Sequence, residues 1–304
     1  MLTSKIKDIT FKNPILVASG TYGYGDEVKD IVDVSCLGGI VTKSVTLLPR
    51  EGNPPPRIAE TNCGMLNSIG LANVGVDEFC RSKTKYLNNL GTQVIVNIAG
   101  SQINDYIETL EILEASQGNH IGYEINISCP NVKKGGMEFG VDPKVTEKLT
   151  NEMRSRTKKI LIMKLSPNVT DIQSIALGAE QGGADAVSAI NTCVGMSIDI
   201  NTRKPKLYTN YGGLSGKAIK PIAIANVHKI YKAISIPIIG IGGICSANDV
   251  IEFILAGAQL VEIGTYNYTN PNKGVEIIAE LEQYCRKNKI ENLLSIKGEI
   301  DYYK

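Results

Sequence analysis

Residues 238–265 read Ile238-Ile-Gly-Ile-Gly-Gly-Ile-Cys-Ser-Ala-Asn-Asp-Val-Ile-Glu-Phe-Ile-Leu-Ala-Gly-Ala-Gln-Leu-Val-Glu-Ile-Gly-Thr265. Two short apolar runs, Ile238–Ile241 and Leu260–Ile263, flank a longer segment, and a glycine turn follows each run. Ser246, three residues before Asp249, signals a helix start just ahead of Val250 and Ile251. Runs that are apolar nearly throughout are what parallel strands covered on both faces require. The stretch therefore reads as strand, glycine turn, helix, strand.

The same unit recurs toward the N-terminus. Further runs are Ile15–Ala18, Gly39–Thr42, Val94–Ile98, Tyr123–Ile127, Ile160–Leu165 and Ala186–Ile190. Between them lie helical patterns such as Val145, Leu149 and Met153, at four-residue spacing behind Asp142 and Pro143. Thr170 with Gln173 reads as a capping box. Eight strands, each followed by a helix, predict an α/β fold of the (β/α)8 TIM-barrel type. A doubly wound open sheet is the alternative, and eight units in order fit closure better. No linker or composition shift divides the chain, so residues 1–304 read as one domain. Such barrels take about 250 residues, which leaves roughly 50 for other uses. Three long connections, Ser44–Ala72, Ser128–Val141 and Asn191–Lys220, all follow strands. They are expected at the C-terminal face, where barrels build active sites.

Composition excludes more than it selects. The 32 Lys plus Arg nearly balance the 31 Asp plus Glu, which predicts no general attraction to nucleic acid or to an anionic membrane. No apolar stretch reaches membrane-spanning length, and Met1–Asn13 lacks the apolar core of a signal peptide. The seven cysteines are irregularly spaced and include no Cys-x-x-Cys pair. That pattern suits a reducing cytoplasm and argues against a metal or iron–sulfur site within this chain.

Polar residues punctuate the strand ends: Ser19, Lys43 with Ser44, Asn97, Asn126, Lys164, Asn191 with Thr192, Gly242-Gly243 and Gly264-Thr265. Amides and hydroxyls that merely cap strands are the plain alternative, but a purely structural barrel requires no polar group at every strand end. The glycine turns after the last two strands suit a phosphate, because glycine lets backbone N–H groups approach an anion. A Rossmann reading of Gly240-x-Gly242-Gly243 lacks the third glycine and the βαβ context. A lysine inside the run Leu161-Ile-Met-Lys-Leu165 either snorkels to solvent or meets an anionic partner. With Lys43 at the same mouth it suggests an electron-rich ligand, and a flavin would use every one of these parts.

The fourth strand leads into Asn126-Ile-Ser-Cys-Pro-Asn131 and then Lys133-Lys-Gly-Gly136, which reads as a flap. A free thiol, with a pKa of about 8.5, is partly ionised near neutrality and can serve as a base. Cys129 is the candidate. The two histidines, His120 and His228, lie at no strand end, which disfavours a Cys–His pair.

The chain resembles the class 1 dihydroorotate dehydrogenases, flavin enzymes of pyrimidine synthesis. The resemblance is carried, in order, by Pro14-Ile-Leu-Val-Ala-Ser-Gly20, Thr42-Lys-Ser44, Asn67-Ser-Ile-Gly-Leu71, the Cys129 segment, Lys164-Leu-Ser-Pro-Asn168, Gly212-Gly-Leu-Ser-Gly216 and Ile239-Gly-Ile-Gly-Gly243. Ile190-Asn-Thr192 and Ala218-Ile-Lys-Pro221 look most like the NAD-linked two-subunit subclass. The resemblance implies FMN at Ser19, Lys43, Ser44, Asn97, Asn126, Lys164, Ile190, Gly216, Gly242, Gly243, Gly264 and Thr265. It implies dihydroorotate or orotate at Lys43, Asn67, Ser68, Ile69, Gly70, Leu71, Asn126, Asn131, Asn191 and Thr192. It makes Cys129 the base that takes the C5 proton as hydride leaves C6 for flavin N5.

The subclass further implies a homodimer joined to a partner subunit carrying FAD and a [2Fe–2S] cluster, a heterotetramer passing electrons to NAD. Two places depart from the family pattern: Lys217, where proline is usual, and the flap at Lys134-Gly-Gly-Met137. The short N-terminal segment leaves no room for a quinone-channel extension. The rivals are the homodimeric fumarate-linked subclass, a tRNA dihydrouridine synthase, and a non-redox phosphate-binding barrel isomerase or synthase. The balanced charge weakens the RNA enzyme, and Lys43, Lys164 and the Cys129 segment are unexplained by the non-redox barrel.

Overall fold

In the computed structural model, which describes residues 1–128 and 139–303, eight parallel strands close into a barrel. The chain opens with an antiparallel hairpin, β1 (Ser4–Ile6) and β2 (Ile9–Phe11), before the first barrel strands, β3 (Ile15–Val17) and β4 (Gly39–Val41). It then leaves the barrel for the pair β5 (Ile58–Thr61) and β6 (Gly64–Asn67). Helices α1 (Val76–Glu78) and α2 (Thr84–Leu87) lead back to β7 (Gln93–Ile98). Regular alternation follows: α3 (Ile103–Ala115), β8 (Gly122–Asn126), α4 (Pro143–Arg154), β9 (Ile160–Leu165), α5 (Ile172–Gln181) and β10 (Ala186–Ala189). A second excursion forms β11 (Cys193–Gly195), the small pair β12 (Ile198–Asp199) and β13 (Lys204–Pro205), and β14 (Gly212–Ser215). The chain ends with α6 (Lys220–Tyr231), β15 (Ile238–Ile241), α7 (Ala247–Leu255), β16 (Leu260–Ile263) and α8 (Lys273–Asn288).

The barrel order is β3-β4-β7-β8-β9-β10-β15-β16, and β16 closes on β3 with Val261 opposite Ile15. The doubly wound open sheet is thereby excluded. Each strand divides its side chains between two layers, because successive residues point to opposite faces. In β9, Leu161, Met163 and Leu165 pack outward with the helices, while Ile160 and Ile162 point into the barrel. The inner cluster also holds Leu16, Val41, Ile95, Ala186, Ile239 and Leu260. Ile6 and Phe11 of the hairpin, both fully buried, join it and seal the N-terminal end.

The two sequence-distant excursions meet. β5, β6, β14 and β11 form one antiparallel sheet, with Gly213 opposite Asn67 and Cys193 opposite Leu214. Of the three long connections, two therefore build one sheet beside the C-terminal strand ends, while most of the third, Ser128–Val141, lies outside the described residues. Part of the chain beyond a minimal barrel went to the opposite end, into the hairpin.

Two local expectations change. The connection from β3 to β4 contains 3-10 turns, Asp26–Val28 and Val34–Cys36, in place of an α-helix. Gly20, Gly23 and Gly25 all have positive φ there, which interrupts any helical run. The N-cap of α5 is Asp171, whose carboxylate accepts from the Gln173 N–H, one residue later than the Thr170 expectation. The other caps stand where expected: Asp142 accepts from the Lys144 and Val145 N–H groups, and Ser246 from that of Asp249. Among the described residues no helix is long and apolar enough to cross a membrane.

Candidate active site

A cavity of about 890 Å³ opens at the C-terminal ends of the barrel strands. Lys164 and Asn97, which line it, belong to a layer that continues the alternation of the inner cluster, two residues further along the strands. After Ile162, Leu260, Ala186 and Ile95 come Lys164, Glu262, Ser188 and Asn97, and Glu124 joins them from β8. Lys164 is 6% exposed, and both glutamates are fully buried.

These side chains form one network. The Lys164 ammonium donates to Glu124 Oε1 at 3.1 Å and lies 3.5 Å from Glu262 Oε2. Asn97 Nδ2 donates to Glu124 Oε1 at 2.6 Å, and Ser188 Oγ donates to Oε2 at 2.8 Å. Ser44 Oγ completes the chain, 2.5 Å from Asn97 Oδ1. Burial alone would raise the Glu124 pKa, but the Lys164 charge and the hydrogen bonds outweigh it and hold this carboxyl below its usual value. For Glu262, burial and then the Glu124 charge push the pKa well above the usual carboxylate range. Burial would lower the Lys164 pKa, yet the two carboxyls more than offset it, so the ammonium is favoured.

The second lysine is built differently. Lys43 is half-buried in the cavity wall, and among the described residues no hydrogen bond or ion pair engages its ammonium. Asn126 is held nearby: its Oδ1 accepts from Asn191 Nδ2 at 3.2 Å, and Tyr106 Oη donates to its backbone carbonyl at 2.8 Å. Asn191 in turn accepts from the Thr192 N–H at 2.8 Å. Across the opening, Asn67 through Leu71 line the cavity from the excursion sheet. Leu71 has a φ of 57°, an uncommon left-handed conformation for leucine, and its carbonyl accepts from Asn73 Nδ2 at 2.7 Å.

At the far end, Gly242, Gly243, Gly264, Thr265 and Gly216 line the cavity together with Ser19 and Ile190. A Cβ on Gly243 would meet the Gly216 carbonyl at 2.9 Å, so these two turns need close backbone approach. Gly264 differs: among the described residues a Cβ there would find only Ala18, at 3.6 Å. Crowding by the protein does not demand glycine at 264, and the free space is a cradle that a ligand can occupy. The first turn of α7 is already engaged. Asp249 accepts from the Cys245 N–H at 2.9 Å and from Ser246 Oγ at 2.8 Å, and Lys220 reaches it at 2.6 Å. Those bonds outweigh burial and hold its pKa down to about 2. The cradle is thus made by glycine turns more than by the helix start.

Every described residue assigned from the sequence to cofactor or substrate lines this one cavity. Cys129, Asn131 and the flap lie outside the described residues. His120 and His228 sit away from the cavity, the first against Tyr123 Oη at 2.8 Å, the second against Tyr302 Oη at 2.6 Å. Lys217 places its ammonium 5.6 Å from the Tyr266 ring centroid. Sequence reading missed Glu124, Glu262 and Ser188. The available signal was a lone carboxylate inside each of two apolar runs, Tyr123-Glu-Ile125 and Val261-Glu-Ile263. It also left out Asn168, which lines the cavity and ties Thr192 and Val194 to the loop after β9.

Comparison with known proteins agrees with the sequence resemblance. The pattern of the dihydroorotate dehydrogenase family matches residues 1–285. A protein of Thermoanaerobacter sp. (strain X514), named dihydroorotate dehydrogenase B (NAD(+)), catalytic subunit, is 48% identical over 98% of both chains. Proteins of the same name from Bacteroides thetaiotaomicron and Desulforamulus reducens are 46% and 49% identical, the first over 99% of both chains, the second over 98% of this chain and 97% of its own.

Proposed function

The chain belongs to the dihydroorotate dehydrogenase family, and from that premise we propose that it is the FMN-bearing catalytic subunit of an NAD-linked enzyme oxidising dihydroorotate to orotate in de novo pyrimidine synthesis. The observation that supports this most directly is convergence: the described residues assigned to flavin and to pyrimidine share one cavity. The residues present fit FMN. The open space at Gly264 suits a phosphate cradled by backbone, and the Lys164 ammonium suits an electron-rich ring edge.

Bound FMN supplies the hydride acceptor. The chain's own groups bind and orient. Lys43, whose ammonium has no ion-pair or hydrogen-bond partner among the described residues, meets the substrate carboxylate, while Asn67, Asn126, Asn191 and Thr192 offer amide and hydroxyl edges to the pyrimidine C=O and N–H groups. Cys129 takes the C5 proton, and the segment around it excludes water during the transfer. Residues 1–304 form one FMN-binding domain, active in the cytoplasm. Two such chains pair and join an electron-transfer subunit carrying FAD and a [2Fe–2S] cluster.

The decisive test is an acceptor assay on the purified chain, alone and with a candidate partner. The expected outcome is a yellow protein that reduces NAD only with the partner present. Efficient fumarate reduction by the isolated chain would overturn the subclass, and a colourless chain that cannot be loaded with FMN would overturn the flavin. Cys129→Ala should bind FMN and orotate yet reduce its flavin with dihydroorotate at least about a hundredfold more slowly. A wild-type rate in stopped-flow would remove Cys129 from the reaction.

A further inference from the structure

Behind Lys164, which lines the cavity, lie two fully buried carboxyl groups that share its one ammonium. Among the described residues no second cation pairs with either carboxyl. If both carboxyls were ionised, one net negative charge would be buried without a partner, an expensive arrangement. Their surroundings are unequal. Glu124 accepts from three donors: Asn97, Lys164 and Ser188. Glu262 lies 3.5 Å from the ammonium and against the Glu124 carboxyl, and its Oε1 has no hydrogen-bond donor among the described residues. A carboxylate with three donors is stabilised as an anion, and one with an orphaned oxygen is not. A proton on Glu262 makes that carboxyl a donor toward its neighbour and removes the uncompensated charge.

We propose that Glu262 is a positioning residue for Lys164: it keeps a proton, through which it donates a hydrogen bond to Glu124, and accepts one from Lys164, so that the group beneath the cavity holds one cation against one anion. Three strands that are not all adjacent, β8, β9 and β16, contribute to this unit, and Ser188 and Asn97 lock Glu124 from β10 and β7. The arrangement keeps the ammonium aimed at the cavity while limiting its counter-charge to one carboxylate. On the flavin reading above, on which this consequence rests, that leaves the site electrostatically receptive to electron-rich ring edges. A doubly ionised pair would instead oppose them.

The proton is read directly by infrared difference spectroscopy on the flavin-free full chain, which does not depend on the flavin reading. Wild-type protein at neutral pH should show a protonated-carboxyl C=O band that is absent from Glu262→Gln. The same band should disappear in Glu124→Gln, where Glu262 becomes the sole counter-ion and ionises. In the flavin-loaded protein, Glu262→Ala should weaken FMN binding at least about tenfold, and Glu262→Gln, which keeps a donor and an acceptor, should restore it to within about threefold. A wild-type spectrum with no such band, or a band that survives in Glu262→Gln, overturns the proposal. So does a Glu262→Gln protein that binds FMN as poorly as Glu262→Ala. If Glu262→Ala does not fold, the infrared comparison of the two Gln variants still decides.

Discussion

The two halves of the barrel interior are made by the same strands and differ in almost everything else. Toward the N-terminal end, Ile6, Phe11, Leu16, Ile95, Ile162 and Leu260 fill the barrel with hydrocarbon, and the hairpin seals it. Two residues further along, the inward positions of the same strands are Asn97, Lys164 and Glu262, joined by Glu124 and Ser188. The lower half is stabilised by burying apolar surface and gains nothing from charge. The upper half pairs each buried polar group with others and ends at a cavity. One half is a scaffold, and the other turns it into a site.

Substitutions in each half should fail in different ways. The largest effect is expected for Lys164→Met, which leaves the buried carboxyls without their cation. Breaking such a network costs about 3–5 kcal/mol, and FMN retention should be lost as well; denaturant unfolding and flavin content after gel filtration measure both. Unchanged stability would mean that the network contributes little to the fold. Phe11→Ala should cost a similar 3–5 kcal/mol through the vacated volume, yet leave the kcat of surviving protein unaltered. A changed kcat would erase the distinction between the halves.

Acid should act through a polar cluster at the N-terminal rim, where His120 meets Tyr123 and Lys159. Burial, then the Lys159 charge, push His120 down to about 4, against a weaker opposing pull from Glu114. An unfolded imidazole titrates near 6.5, so the folded state prefers the neutral ring. This stabilisation is fully present above pH 6.5 and is lost as pH falls toward 4, amounting to about 2 kcal/mol by pH 5. Unfolding free energies at pH 7 and pH 5 should show the loss, and His120→Gln should flatten it. The smallest stability effect is expected for Lys43→Met, within about 0.5 kcal/mol, because its ammonium loses no partner among the described residues. Orotate affinity, measured by titration of the flavin spectrum, should nevertheless fall. Intact affinity would separate Lys43 from the substrate carboxylate.

Much of this was legible before the fold. Apolar runs bounded by glycine and polar residues located all eight barrel strands, because strands buried on both faces must be apolar on both. Polar strand ends located the cavity walls, because a barrel directs all those ends to one face. The same uniform hydrophobicity hid the carboxyl pair. In Leu260–Ile263 or Gly122–Asn126, period-two alternation is masked when both neighbours of a glutamate are apolar, so the inward face cannot be distinguished. The excursion sheet was illegible for another reason: its β6–β14 pairing joins residues separated by about 150 positions, and nothing local encodes that partner.

The sequence by itself determined the eight barrel strands in order, their approximate bounds and the chemical character of the strand ends, since these depend on local periodicity, capping and turn residues. Tertiary structure alone decided that β16 lies against β3, that Glu262 reaches Lys164, and that Lys164 is committed to carboxyl groups while the Lys43 ammonium has no partner among the described residues. Those outcomes follow from barrel closure and strand register. Both are cooperative properties of the whole chain, set when non-local pairing satisfies every strand edge at once.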